Sequence, residues 1–343
     1  MRAVVLFLSL LVAVAAVPAA LAGPGSGSAA IAPALDVSAG AAGTWAVTYA
    51  AGEAFQSGTV RLVIPASWSA PQGASSGGAG YVTVATNEPT GTPSISSVVG
   101  QTITVTVDTL TAGNTITITY GDTGGGANPL AVATAPGAPG PYAFTVSSDP
   151  TGAAPVQIAT SPSLDVVPGP PFRLSIAPGD TTITAGDFAA YTVYVVDAFG
   201  NRTDVAENRT VSLFPSSGAF FSPSDHVTPT TFVNIAANND SARVDYMATL
   251  ATTVVPHNLT MVTLDGKSPS LGDNATVSVT PAAVSATVST ISATSPVVAD
   301  GVSQSSVTVT SRDAFGNLRP GDAVTLAATG SAIATDPAQP TGA

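Results

Sequence analysis

Residues 189–201 read AAYTVYVVDAFGN, and residues 305–317 read SSVTVTSRDAFGN. The same Asp-Ala-Phe-Gly-Asn closes both stretches. Ahead of it, β-branched or aromatic residues alternate with Thr or Ser, the period of two that sets one face of a strand on a core and the other in water. Aligning the copies pairs Tyr191, Val193 and Val195 with Val307, Val309 and Ser311, and Thr192, Tyr194 and Val196 with Thr308, Thr310 and Arg312. Val307 and Val309 are expected to face inward, and Thr308, Thr310 and Arg312 outward. Both strands reach an Asp on the inward parity. A carboxylate there accepts N–H bonds from the residues just after it, the Asx-turn device. Gly200 and Gly316 supply a positive-φ step that other residues resist. Phe199 and Phe315 are expected to fold back over the end of the core. A partner strand is expected after each turn, RTVSLFP at 209–215 and DAVTLAA at 322–328. A catalytic loop would need other reactive groups recurring with it, and none do. The repeat reads as architecture.

The same alternation runs outward through the chain. TWAVTYA (44–50), TVRLVIPA (59–66), YVTVAT (81–86), QTITVTVD (101–108) and NTITITYGD (114–122) precede the first copy, and ARVDYMATL (242–250), NLTMVTLD (258–265) and NATVSVTP (274–281) follow it. β-branched residues suit a pleated surface because their restricted χ1 costs little there. Gly, Pro, Asn, Asp and Ser fill the gaps as turns, and no helical period appears outside the N-terminus. The fold class is all-β. Pro-rich joints, VVPGPPF at 166–172 and TPAAVSA at 280–286, divide the chain into blocks at 31–167, 171–280 and 286–343. Such joints behave as semi-stiff spacers. The first block carries QGASSGGAG (72–80) and GDTGGGANPLAVATAPGAPGP (121–141), expected to be soft loops with little to bury.

Residues 1–22 predict an export signal: Met1-Arg2, then the apolar VVLFLSLLVAVAAV, then Pro18 and a small-x-small site at Ala20-Leu21-Ala22. Cleavage is expected between Ala22 and Gly23, placing the protein outside the cell or on its surface. No later run is long enough to span a bilayer as a helix. The 343 residues contain no Cys, so disulfide scaffolds and zinc-thiolate sites are excluded and each domain must be held by its own core. Charged residues make up 9% of the chain, the net charge is −12, and Lys267 is the one lysine. Nucleic acid and anionic lipid are therefore not expected partners.

Residues 293–331 resemble the bacterial Ig-like group 1 repeat of the invasin/intimin type. The resemblance is carried by Ala299-Asp300-Gly301, the Val307/Val309 strand, Asp313 to Asn317, Pro320-Gly321 and Val324-Thr325-Leu326. It implies an Ig-like β-sandwich used in tandem to build stalks on bacterial surfaces. Residues 171–280 resemble that repeat more distantly, through Asp197 to Asn201 and the Tyr191 strand, and lack its ADG and PG elements. The first block resembles Ig-like or other β-sandwich regions of large secreted proteins, without a defining motif. The expectation is tandem Ig-like β-sandwiches after an N-terminal signal peptide. The last of them is expected to be incomplete, because the chain given stops at Ala343, about sixty residues into a module that needs about a hundred.

Candidate chemistry is sparse. Asp122-Thr123-Gly124 matches the aspartic-protease triplet, but that chemistry needs two Asp sharing a proton and no second triplet exists. Gly73 to Gly77 fits G-x-S-x-G without the strand-to-helix elbow. His226 and His257 lack carboxylates at zinc spacing and are expected to be ordinary surface residues. Calcium would find oxygen ligands at Ala237-Asn238-Asn239-Asp240, Asp265-Gly266 and Asp300-Gly301, yet no EF-hand loop occurs, and turn chemistry explains them better. Asn201, Asn208, Asn239, Asn258 and Asn274 head N-x-[ST] triplets, relevant where the host glycosylates exported proteins.

No catalytic, cofactor-binding or metal-binding residue is assigned, and no cofactor is expected. The favoured reading is a non-enzymatic exported surface protein fragment, an Ig-like stalk or adhesin-type module. Its expected partners are a surface protein or glycan and the flanking Ig-like repeats. The alternative is a spacer or carbohydrate-binding accessory region of a secreted enzyme whose catalytic domain lies beyond Ala343. An outer-membrane barrel fits poorly, since aromatic girdles are absent and Pro-rich joints interrupt the strands.

Overall fold

The computed structural model describes residues 23–152, 154–263 and 272–327. Residues 1–22, expected to be an export signal, and Lys267 lie outside them. The chain divides into two compact units, at Val167/Pro168.

The first unit packs two main antiparallel sheets face to face. One has the strand order Ser28–Ala32, Trp45–Ala50, Thr115–Tyr120, Val82–Thr86. The other has the order Val156–Gln157, Thr145–Asp149, Phe55–Val63, Thr102–Leu110, Ser94–Val99. Period-2 alternation decides the faces. Trp45, Val47 and Tyr49 are buried while Ala46, Thr48 and Ala50 turn outward, and Ile116, Ile118 and Tyr120 do the same from the neighbouring strand. Trp68 sits at the centre, edge-on to Trp45 at 4.8 Å and to Phe144 at 5.0 Å, the T-shaped geometry that aromatic quadrupoles favour.

The Ala-rich part of the supposed soft loop 121–141 belongs to this core. Ala131, Ala133 and Ala135 are buried, and Ala133–Thr134 pairs with Ala42–Gly43. Small side chains bury little area each but fit where backbones approach closely, so low hydrophobic mass did not mean solvent exposure. Loop 72–80 is likewise built. The Gln72 amide donates to the carbonyls of Ser75 and Gly78 and accepts from the backbone N–H of Ala74 and Ser75.

The second unit repeats the plan. One sheet runs Arg173–Ala177, Phe188–Val196, Ser241–Met247, Ala219–Phe221, Pro229–Thr230. The other runs Thr181–Thr184, Asp273–Thr280, His257–Thr263, Arg209–Pro215, Phe232–Ile235. Between them lie Tyr191, Val193, Val211, Val244, Tyr246, Leu259, Met261 and Val277, all essentially without exposure. In both units the N-terminal chain serves two sheets, which in the first unit are the four-stranded sheet and a separate three-stranded one of order Gly140–Ala143, Ser163–Val167, Val37–Ser38. A first strand pairs antiparallel with the second strand of one sheet, and a short following strand pairs in parallel with the final strand, Val37–Ser38 on Val166–Val167 and Thr181–Thr184 on Val277–Thr280. The molecule is all-β, with β-sandwiches in tandem along the chain.

After Thr280 the second unit continues with a two-stranded ladder, Thr290–Ala293 against Val307–Thr310. Three expectations fail there. Val307 is 41% exposed rather than inward, because no second sheet covers this ladder among the described residues. Residues 322–327 form no strand, since a strand is defined by its hydrogen-bonded neighbour and none stands beside them among the described residues. Phe315 is 48% exposed, as is Phe199 at 56%, so neither ring closes a core.

Candidate functional site

The most organised polar geometry among the described residues is the repeated turn. The hydrophobic alternation carries Asp197 and Asp313 inward, where they are 1% and 0% exposed. A buried carboxylate is tolerated only when its lone pairs are filled. Asp197 Oδ1 accepts the backbone N–H of Phe199 at 2.8 Å and of Asn201 at 2.9 Å. Its Oδ2 accepts the Asn201 side-chain amide at 2.8 Å and the backbone N–H of Gly169 at 2.8 Å. Asp313 repeats this atom for atom: Oδ1 from Phe315 and Asn317 at 2.9 Å each, Oδ2 from the Asn317 amide at 2.7 Å and from Ala282 N–H at 2.9 Å. Gly200 and Gly316 stand at φ +89° and +88°, the left-handed step that closes each turn.

Gly169 and Ala282 lie in the Pro-rich joints. Their carbonyls are held as well, by the hydroxyl of Thr203 at 2.8 Å and by the guanidinium of Arg319 respectively. Each joint is therefore clasped on both sides of one peptide residue by groups that flank the turn. Burial is the largest single influence on both carboxylates and pushes their pKa up. The bonds from Asn201, Gly169 and Phe199, and from Asn317, Ala282 and Phe315, outweigh it and hold both below the usual carboxylate range. The sequence showed the turn but not the clasp, because Gly169 and Ala282 are distant in the chain and carry no polar side chain.

The other sequence candidates are scattered. Asp122 accepts from Gly124 N–H at 2.8 Å and from the Thr83 hydroxyl, an ordinary loop closure. Asp240 is tied to Arg202 by two bonds of 2.6 and 2.7 Å, and Arg202 lies over the Tyr194 ring. Asp300 accepts from Val302 and Ser303, whose N–H and hydroxyl bonds pull its pKa down to about 2. Asp265-Gly266 lies outside the described residues. Among the described residues, no three His, Cys, Asp or Glu converge as a metal site. Of the N-x-[ST] residues, Asn201 has its amide committed to Asp197, and Asn208 Oδ1 accepts from Ala237 N–H at 2.8 Å.

His226 is at the surface but engaged there, whereas His257 is not a surface residue. His226 stacks on Phe188 with centroids 4.1 Å apart and pairs with buried Asp245 at 2.5 Å. Asp245 also meets Arg243, and although burial is the strongest influence on it, His226 and Arg243 hold its pKa down. His257 is buried. Tyr246 has one proton and gives it to Ser217 O at 2.8 Å, so its oxygen accepts from His257 Nδ1 at 2.9 Å. Burial lowers the His257 pKa, because it disfavours the charged ring. Both assemblies are folding features that a sequence without contacts does not display.

No family model matches the chain, and no curated protein does. Among solved structures it is similar to invasin, a bacterial integrin-binding protein, at 15% identity and a TM-score of 0.34 over 85% of this chain. It spans 47% of that invasin chain, about half its length. It is similar to FdeC, an Escherichia coli adhesin, at 17% identity and a TM-score of 0.35, covering 89% of this chain and 81% of that one. Domains 5-6 of the S-layer protein SbsC match at 18% identity and a TM-score of 0.20, over 74% of this chain and 97% of that one.

Proposed function

We propose that the chain is an exported, non-enzymatic surface module of the stalk or adhesin type. Residues 1–22 direct export, and blocks 31–167, 171–280 and 286–343 act as successive Ig-like modules, the last of the invasin/intimin type. Their role is geometric: to hold segments away from the cell and present Thr- and Ser-rich strand edges to a surface protein or glycan. The observation that supports this most is the repetition of the clasp. The chain invests its best-satisfied buried carboxylates, Asp197 and Asp313, in the joints. Invasin and FdeC, an integrin-binding protein and an adhesin, agree with that reading in kind.

The test is expression of the whole chain in a bacterial host, followed by N-terminal sequencing and protease treatment of intact cells. The expected product starts at Gly23 and is cleaved on intact cells or recovered from the medium. A protein that keeps Met1 and stays inside the cytoplasm overturns the reading.

A further inference from the structure

We propose that the Phe-Gly-Asn tip of the turn is a docking surface, and that its partner is the rim of the β-sandwich preceding it in the chain. The second copy makes both contacts. Asn317 Nδ2 donates to the carbonyl of Thr249 at 2.7 Å, and its Oδ1 accepts from the backbone N–H of Ala251 at 2.9 Å. One amide thus reads a donor and an acceptor of a single loop, a match that neither a carboxylate nor an apolar side chain reproduces. Beside it the Phe315 ring lies on Gly186. A Cβ at that glycine would come within 2.6 Å of Phe315 Cζ and 2.8 Å of Cε2, so the rim has space for the ring only because the residue has no side chain. Gly186 in turn donates to Ala248 O at 2.9 Å, which joins both contact points into one surface.

The Asp313 carboxylate couples the dock to the fold of the turn. Its Oδ1 shapes the backbone of Phe315 and Asn317, while its Oδ2 holds the Asn317 amide and the joint residue Ala282. A turn that forms therefore presents the ring and the amide together and fixes the joint at the same time. Orientation across this joint is encoded in the segment that follows it, not in the joint's one proline, Pro281. The inference deepens the stalk reading and rests on it only for what a fixed joint is for.

The chain has no Cys, so spin labels can be placed at Thr182→Cys and Thr308→Cys, both exposed, in the full protein. Double electron–electron resonance should give one narrow distance peak. Phe315→Ala and Asn317→Ala should each broaden it at least twofold, with thermal unfolding of the sandwich unchanged, while Phe199→Ala leaves it narrow. Phe315→Ala is the cleaner variant because the half-exposed ring supports no core. A broad peak in the parent, or peaks as narrow in both variants as in the parent, overturns the proposal. A chain that is never exported but shows the expected widths refutes the stalk reading and leaves the dock standing.

Discussion

Tyr191 and Tyr246 stand edge to face in one core, centroids 6.4 Å apart, and they should respond oppositely to the same change. Tyr246 donates to Ser217 and accepts from His257. The Tyr191 hydroxyl is buried and meets no hydrogen-bond partner. Burial, with the charge of Asp180 adding to it, pushes the Tyr191 pKa up to about 12. An unsatisfied buried hydroxyl is a standing cost, so Tyr191→Phe should raise stability by about 1 kcal/mol in urea unfolding. Tyr246→Phe strands the buried His257 and the half-buried Ser217 carbonyl and should lower it by about 2 kcal/mol. His257 gives a pH dependence of defined sign. Its folded pKa lies below the unfolded value of about 6.5, so the unfolded chain takes up the proton first. Stability is complete above that value and falls as pH drops through it, and the second unit should melt lower at pH 5 than at pH 7.5. His257 was a bare letter in the sequence, whereas Asp197 and Asp313 were legible. An Asp on the inward parity before Gly-Asn has a local reason to be there, and His257 has only a tertiary one.

At the level of elements, alternation located the long strands well. RTVSLFP is a strand over its whole predicted length, Arg209–Pro215. Short strands such as Val37–Ser38 and Thr181–Thr184 escaped because two to four residues carry no period. Loops were misjudged for a different reason. Gly/Ser/Ala composition reports how little a segment buries, not whether one side chain organises it. Gln72→Ala should therefore open residues 73–79 to proteolysis while the melting of the first unit barely moves. A cleavage rate equal to the parent's would show that the Gln72 bonds hold nothing. Glu88 is a second hidden organiser. It accepts Thr111 N–H at 2.6 Å and the Asn114 amide at 2.8 Å, and these bonds bring its pKa down to about 2. Its contribution is present above the unfolded value near 4.3 and is lost as pH falls toward 2. Glu88→Gln should remove that part of the acid sensitivity of the first unit.

For the whole molecule, the repeated turn decided the reading from sequence, and the structure gives it a physical role beyond a turn. Two buried carboxylates close their own loops and also hold the backbone of the joints, at Gly169 and Ala282. Both have folded pKa values below the unfolded value of about 3.9, so the clasps are complete above it and are lost as pH falls through the folded values. The partner half of each clasp was illegible because the residue it grips contributes only backbone. The central claim is tested most directly by amide hydrogen exchange at Gly169 and Ala282 in the full chain. The clasp predicts slow exchange at both in neutral solution, with protection lost at Gly169 alone in Asp197→Ala and at Ala282 alone in Asp313→Ala. Exchange at the rate of an unstructured linker in the parent protein would contradict it.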